Sequence, residues 1–438
     1  MATSFVLANS LKVDWSERPR FENLITKILV RVLQKGSVTM RKIIGIDVSK
    51  STAKLSVAID AKTVYEGDIT LDMIGFTSLK AIIDSYGGAE VVFEATGVYS
   101  RRLERYLLDE SITYHILNPL VAKKRLDDGS RTRKNDVRDA RGLAITEFAK
   151  HPKPFKPSFY DPVYRELMDI SRYYDQQTED LKRTKNRIHR LIQLSFPGIE
   201  EELDLRKPSA LHTLTLFSHP AELTGLSFEN IKTQILDMHL KGVGAVRSSN
   251  LARALWRSRA RSYPAVSGNS FVVQAVKHET QKALKLLSER EETVQAMVSL
   301  AERTPEYVIL LSIPNIAENT AVRLVAELGD IRRFKTRAKL NSFIGLDLQE
   351  IQSGNYTAQR KITKHGNAHT RKLLYWTVIN MIGSGAQPSH IRDFYAKRQA
   401  TASRRKPLLV ACMDRLLKTI HYLVNTNQLY SYELACSR

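Results

Sequence analysis

The chain of 438 residues carries 67 Lys and Arg against 46 Asp and Glu, a net charge of +21 and a pI of about 9.8, and 43% of its residues are hydrophobic. That apolar share excludes global disorder and supplies cores for about two to four domains, and no run approaches the ~18 apolar residues of a membrane span or forms a signal-peptide h-region, so a soluble cytoplasmic protein is expected. Two cysteines, Cys412 and Cys436, without metal-ligand spacing, exclude a disulfide framework and argue against zinc or redox chemistry.

Residues 1–39 read as an N-terminal extension of unknown role, with Phe21, Leu24, Ile25, Ile28, Leu29, Val32 and Leu33 at helical spacing. From Arg41 the pattern changes to period two. KIIGIDV, then LSVAID and TVYEGDITL predict three strands joined by connections short enough for antiparallel hairpins. A helix follows over Met73 to Tyr86, then a strand over Glu90 to Ala95, a helix over Val98 to Leu108, a strand over Thr113 to Leu117, and helix after Asn118. The order βββαβαβα, a meander followed by crossovers, is the ribonuclease H-like arrangement. It assigns 40–157 to an α/β domain of that kind.

Beyond the Pro-punctuated HPKPFKPSFYDP, the series Leu167, Ile170, Tyr174, Gln177, Leu181, Thr184, Ile188, Leu191 and Ser195 steps by three and four. It predicts a long helix whose stripe fits either a dimeric coiled coil or packing within the chain. A second long helix, about Phe271 to Glu302, is a candidate antiparallel partner. The span 158–304 is thus a helical segment interrupted by an insertion at about 197–270. Residues 305–410 form a mainly α C-terminal domain with a serine loop, and 411–438 a terminal helix and tail.

Four carboxylates stand out. Asp47 lies in the apolar strand IIGIDV, where burial of a charge requires compensation. Glu94 closes VVFEAT, and Asp136 and Asp139 share a helical face at i,i+3. The element order sets the first strand beside the fourth with the last helix across their ends, so the four can converge. Such a cluster of anions calls for divalent cations, Mg²⁺ foremost and Mn²⁺ as an alternative. Two such ions suit phosphodiester cleavage. Singly, each residue also has a plain reading as a strand-end acid, a capping acid or an ion-pair partner of Arg133, Lys134 or Arg138.

The positive charge is uneven. Ile331 to Lys406 holds sixteen Lys and Arg against three acids, including Arg332, Arg333, Arg360, Lys361, Lys364, Arg371, Arg404 and Arg405. Lys123 to Arg141 is a second basic run, with Arg133 and Lys134. Runs flanking candidate chemistry point to a nucleic-acid partner. Within the first run Ser353 precedes Gly354 in a polar loop; it is either a turn residue or, among cations, a nucleophile on phosphorus. His365 and His369 read as solvent-exposed or phosphate-contacting imidazoles, since Gly366 disfavours a metal-binding helix. SIPNIAENTAVRLVAELGD has the outline of a helix-hairpin-helix, with Asn315 and Ala317 where glycines usually lie.

Together GIDVSK, FEATGVYS, NDVRDARGLA, SIPNIAENTAVRLVAELGD and the block from Ser353 to Tyr375 resemble the insertion-sequence transposases with a DEDD active site, the IS110 family, which is related to the Piv site-specific DNA invertases. The resemblance runs from about Met40 to Ile382. It implies a RuvC-like nuclease domain holding Mg²⁺ through Asp47, Glu94, Asp136 and Asp139, a coiled coil that assembles dimers and tetramers, and a C-terminal domain whose nucleophile is Ser353. It further implies that the acidic site of one subunit works with the serine domain of another, and that an element-encoded bridge RNA pairs with donor and target DNA. Arg133, Lys134, Arg360, Lys361, Lys364 and Arg371 would then contact the nucleic-acid backbone, RNA–DNA pairing choosing sequence. The functional expectation is a DNA transposase or recombinase; the alternative is a RuvC-like junction-resolving nuclease or a site-specific invertase. The non-glycine hairpin turn and the N-terminal extension depart from the family pattern.

Overall fold

The computed structural model describes residues 41–117, 136–150, 162–349, 352–353, 356–357, 361–402 and 404–436. Residues 1–39, Arg133, Lys134, Gly354 and Arg360 lie outside the described residues. The chain divides into two compact units, 1–159 and 160–438.

The first unit runs β1 (Lys42–Val48), β2 (Thr52–Ile59), β3 (Lys62–Thr70), α1 (Met73–Ser85), β4 (Glu90–Glu94), α2 (Ser100–Asp109), β5 (Tyr114–Leu117) and α3 (Asp136–Lys150). Asp60 and Ala61, both at positive φ, make the two-residue turn that lets β2 fold back into β3. Asp72 caps α1 by accepting from the Gly75 amide at 3.0 Å. The sheet order is β3-β2-β1-β4-β5, antiparallel across the first three strands and parallel from β1 through β4 to β5. This is the ribonuclease H-like arrangement expected from the pattern.

Alternation along the strands gives each face its own core. Ile44, Ile46, Leu55, Val91 and Phe93 pack under α1 and α2 through Phe76, Leu79, Leu103 and Leu107. On the opposite face Ile43, Ala58, Val92 and Leu117 meet Leu143 and Ala144 of α3.

The second unit is built on α4 (Pro162–Ser195), a 34-residue helix about 51 Å long. Between α4 and α9 (Phe271–Ala301) lie α5 (Ile199–Glu202), α6 (Pro208–Leu216), α7 (Phe228–Leu236) and α8 (Ala245–Arg261). The stripe on α4 is buried at Leu167, Tyr174, Gln177, Leu181, Thr184, Ile188 and Ser195. It packs antiparallel against α9. Arg187 reaches Glu279 at 3.1 Å and the Thr293 hydroxyl donates to Gln177 at 3.1 Å. Of the polar positions that soften the stripe, Gln177 is therefore met by the chain's own second long helix, while the Thr184 hydroxyl accepts from Arg187 of α4 itself at 3.3 Å. In this structure the stripe packs within the chain, one of the two arrangements that the 3–4 spacing allows. The insertion has a separate core in which Phe196, Leu211, Leu214, Ile231, Ile235, Leu251 and Leu255 surround Ile188 and Ile192 of α4.

The remainder comprises α10 (Pro305–Leu311), α11 (Glu318–Leu328), α12 (Arg337–Ile344), the short strands β6 (Leu348–Gln349), β7 (Gln352–Ser353), β8 (Tyr356–Thr357) and β9 (Lys361–Ile362), then α13 (Ala368–Met381), α14 (His390–Gln399), α15 (Arg405–Thr426) and α16 (Tyr432–Cys436). One core unites α10 to α15 with the start of α4 and the end of α9. Helix α15 crosses the expected boundary at 410/411, and Cys412, Leu416, Leu417 and Ile420 lie wholly inside that core. The tail from 411 is thus in part a central helix of this domain. Among the described residues no helix is long and apolar enough to cross a membrane.

Candidate active site

The parallel register pairs Gly45 with Val92 and Ile46 with Phe93. The next residue of each strand is Asp47 and Glu94, which therefore stand side by side at the carboxyl end of the two central strands. Both are half-buried. Alternation puts Asp47 on the face of Ile43 and Gly45, and Glu94 on that of Val92, which is the face covered by α3.

Helix α3 sits against this face because Gly45 has no side chain. A Cβ there would lie 2.7 Å from the amide nitrogen of Ala144 and closer still to the carbonyl oxygen of Ala140. Asp136 and Asp139 form the first turn of α3, where the helix dipole favours carboxylates. Asp136 is one turn before Ala140 and Asp139 one turn before Leu143, so both continue the stripe that packs on the sheet. A second tie fixes the helix laterally: Arg141 holds Glu66 of β3 with a two-pronged contact of 2.7 and 2.9 Å. That hydrogen-bonded guanidinium also holds the Glu66 carboxyl below the usual range.

The backbone thus brings the strand pair Asp47 and Glu94 and the turn with Asp136 and Asp139 to one face of the first unit. It does not gather their side chains: among the described residues no three His, Cys, Asp or Glu side chains are grouped to hold a metal ion. The donor set itself, four hard carboxylates, is the kind Mg²⁺ selects.

Ser353 occupies a different setting from the polar loop expected. Leu348 pairs with Ile362 and Gln349 with Lys361 in one two-stranded sheet, and Gln352 pairs with Thr357 and Ser353 with Tyr356 in another. The serine therefore ends a β7 strand on an antiparallel arm. Two-residue polar strands carry no period-two apolar signal, which is why the sequence pattern misses them. Lys361 and Lys364 are exposed near the base of the arm, Lys364 at a φ of +57°.

Arg371, expected at the nucleic-acid backbone, is tied into the domain itself. Its Nη1 donates to the Ile344 carbonyl at 2.7 Å and to that of Gly366 at 3.1 Å, tying the end of α12 to the segment leading into α13. Gly366 is required there, since a Cβ would meet the Phe343 carbonyl and lie 2.7 Å from the Gly345 amide. Arg332 pairs with Glu306, a wholly buried carboxylate that also accepts from the Tyr164 hydroxyl at 2.8 Å. Arg333 stacks over Phe334 and Phe343 at 4.7 and 4.9 Å. Three cations of the long basic run are therefore internal fastenings. His369 faces Asp175 at 3.3 Å, while His365 is exposed, so the two form no pair.

At the hairpin between α10 and α11, Asn315 adopts a φ of +67°, the conformation a glycine would supply. Its side chain adds what glycine cannot. The amide donates to the Gln387 carbonyl at 3.0 Å and accepts from the Gln387 amide at 2.8 Å, pinning the loop before α14.

A five-stranded sheet in the order β3-β2-β1-β4-β5, with Asp47 and Glu94 at the ends of two neighbouring strands, is thus followed by a mostly helical unit. Residues 44–197 match a family model described as Transposase, of the DEDD IS110 type, and residues 307–396 match one described as Transposase IS116/IS110/IS902 family. The two matches span more than half of the chain, which belongs to the IS110/IS116 transposase family. The chain is 23% identical over 415 residues to the protein named for the IS117 mini-circle of Streptomyces coelicolor, covering 89% of this chain and 95% of that protein. It is 22% identical over 304 residues to the 44.8 kDa protein of insertion element IS116 from Streptomyces clavuligerus, covering 68% and 73%. A pilin gene-inverting protein of Moraxella bovis is 28% identical over 117 residues, covering 26% of this chain and 35% of that protein. Among solved structures, Thermus thermophilus RuvC in complex with a Holliday junction matches 26% of this chain and 99% of its own at 13% identity, with a TM-score of 0.21.

Proposed function

We propose that this transposase cuts and rejoins DNA strands through a serine ester, with Ser353 as nucleophile and Asp47, Glu94, Asp136 and Asp139 as the ligands of Mg²⁺. The supporting observation is the common face of the first unit on which Asp47, Glu94 and the first turn of α3 lie, in a chain of the DEDD transposase family. The Ser353 hydroxyl attacks a phosphodiester phosphorus. A P–O bond to Ser353 forms, the P–O bond to one DNA strand breaks, and the serine proton passes to the leaving DNA oxygen. Attack by another strand's hydroxyl then reverses the step and frees Ser353. Bound Mg²⁺ would supply Lewis-acid stabilisation of charge on the phosphoryl and leaving oxygens. Lys361 and Lys364, exposed beside the arm, serve as backbone contacts, as do Arg133, Lys134 and Arg360. Arg371 acts by positioning the segment that carries Lys364. The family resemblance adds a homodimer or homotetramer and an element-encoded guide RNA as partners.

The competing reading is hydrolysis at the carboxylates alone, with Ser353 a bystander. Ser353→Ala separates the two. Under the proposal it abolishes excision and the covalent protein–DNA adduct while DNA binding persists. Excision at the normal rate in that variant would overturn the serine step and leave the junction-resolving reading.

A further inference from the structure

None of the residues assigned to that chemistry lies in the helical insertion between α4 and α9, yet the insertion carries an unusual surface. Between Asp237 and Glu279 the chain has no acid and seven Lys and Arg. Most of this charge is on α8. Its inward face, Ser248, Leu251, Ala252, Ala254, Leu255 and Ser258, is buried. Its outward face carries Arg253, Arg257 and Arg261, all exposed, at steps of four residues, so that they form one stripe.

Two aromatic rings accompany the stripe. Trp256 is 42% exposed although the insertion core lies on the other side of the same helix, and Tyr263, just beyond its end, is 93% exposed. The Trp256 ring is braced by Arg259, whose Cζ is 5.5 Å from the ring centroid and whose Nη1 donates to the Leu223 carbonyl at 3.0 Å. Cations at a helix C-terminus are favoured by the dipole. That accounts for Arg259 and Arg261, but not for Arg253 and Arg257 or for solvent-facing rings. Among the described residues, the stripe has an ion pair only between Arg257 and Glu202, at 3.8 Å.

We infer that this face of the insertion binds an unpaired nucleic-acid strand. Three guanidinium groups along one edge suit a phosphate backbone, and a braced, exposed ring suits the face of an unstacked base. A duplex hides its base faces in the stack and would leave both rings without a partner. The inference rests on the reading of the chain as a nucleic-acid-processing enzyme, but it does not depend on the serine or the carboxylates.

The test is fluorescence anisotropy of the full-length chain, in EDTA, with a short labelled strand as DNA, as RNA of the same sequence, and as a duplex. Arg253→Ala/Arg257→Ala/Arg261→Ala should flatten the salt dependence of single-strand binding by about 2 in log–log slope, at about 0.7 for each phosphate no longer neutralised. Trp256→Ala should weaken that binding roughly tenfold, and Trp256→Phe should restore most of it. The DNA and RNA arms show which strand supplies the ligand. Unchanged affinity and slope in both sets of variants would overturn the assignment, as would a loss confined to the duplex. Because binding is read without metal and without cleavage, a failed Ser353 experiment would leave this result standing, and the reverse.

Discussion

Replacing Gly45 by Ala adds one methyl group at the contact between β1 and α3. The two nearest atoms, the Ala140 carbonyl oxygen and the Ala144 amide nitrogen, are four residues apart and are the partners of one helical hydrogen bond. Neither can swing away as a side chain could. To restore a contact of 3.4 Å from 2.7 Å, α3 must retreat by about 0.7 Å at Ala144, and by more at Ala140. Overpacking of this kind costs about 1–3 kcal/mol. The retreat also carries Asp136 and Asp139 away from Asp47 and Glu94, and a misplacement near 1 Å lowers a catalysed rate by roughly a hundredfold. Gly67→Ala is the control. The atoms nearest its Cβ belong to the ring of Tyr65, a side chain 43% exposed, so the change should stay within about 0.5 kcal/mol. Denaturant unfolding and strand cleavage on DNA bearing the element's ends read the two effects. A Gly45→Ala variant with the stability and cleavage rate of the parent would refute the helix-placement argument.

Three further outcomes are expected. Chelation with EDTA should abolish strand cleavage, and Mg²⁺ or Mn²⁺ should restore it; cleavage persisting in EDTA would exclude the carboxylate–metal assignment. His390, buried between the Tyr430 and Thr419 hydroxyls at 2.9 Å each, has its pKa pushed down to about 4 by burial and by Arg415. Its ring is neutral in the folded domain and protonates near pH 6.5 once unfolded, so stability present above pH 6.5 is lost as the pH falls toward 4, by about 3 kcal/mol. His390→Gln should flatten that part of the profile in melts between pH 7 and 4.5, and an unchanged profile would exclude this residue as the cause. Asn315→Ala should cost about 2–3 kcal/mol in urea unfolding, from left-handed backbone strain and the absence of two hydrogen bonds. Asn315→Gly should recover about 1 kcal/mol of it, and equal losses would show that the backbone conformation carries no strain.

Legibility in the sequence followed the strength of local pattern. The first unit was readable strand by strand because KIIGIDV, LSVAID and VVFEAT alternate, and a buried sheet demands that alternation. Asp47 and Glu94 were readable for the same reason, each being a charge where the period calls for an apolar or terminal residue. Gly45 was not. Its role comes from a helix nearly a hundred residues later, and a single glycine in a strand gives no sign of what approaches it. The arm carrying Ser353 was hidden by its two-residue strands, and the stripe on α4 was ambiguous because intrachain and intersubunit packing impose one spacing. Arg371, Arg332 and Arg333 show a further limit: composition counts a cation as surface charge whether it faces solvent or caps a carbonyl.

That limit changes the meaning of the charge surplus. Glu306 is fully buried and would be costly without Arg332 beside it, so part of the positive charge exists to make the C-terminal core self-consistent. Arg371 likewise closes a helix end that would otherwise leave the Ile344 carbonyl without a donor. Subtracting such residues shifts attention from the longest basic run to the cations that fasten no second element. On α8, among the described residues, Arg253, which reaches Asn250 of its own helix, and the exposed Arg261 are of that kind. They lie in a segment whose overall charge had given no reason to single it out, because acids at Glu200, Glu201, Glu202 and Asp204 offset it in the count. Net charge over a window averages across a helix, whereas a phosphate backbone meets one face. The face is therefore the unit on which a nucleic-acid surface is recognised, and in this chain the α8 face satisfies it with cations and rings together.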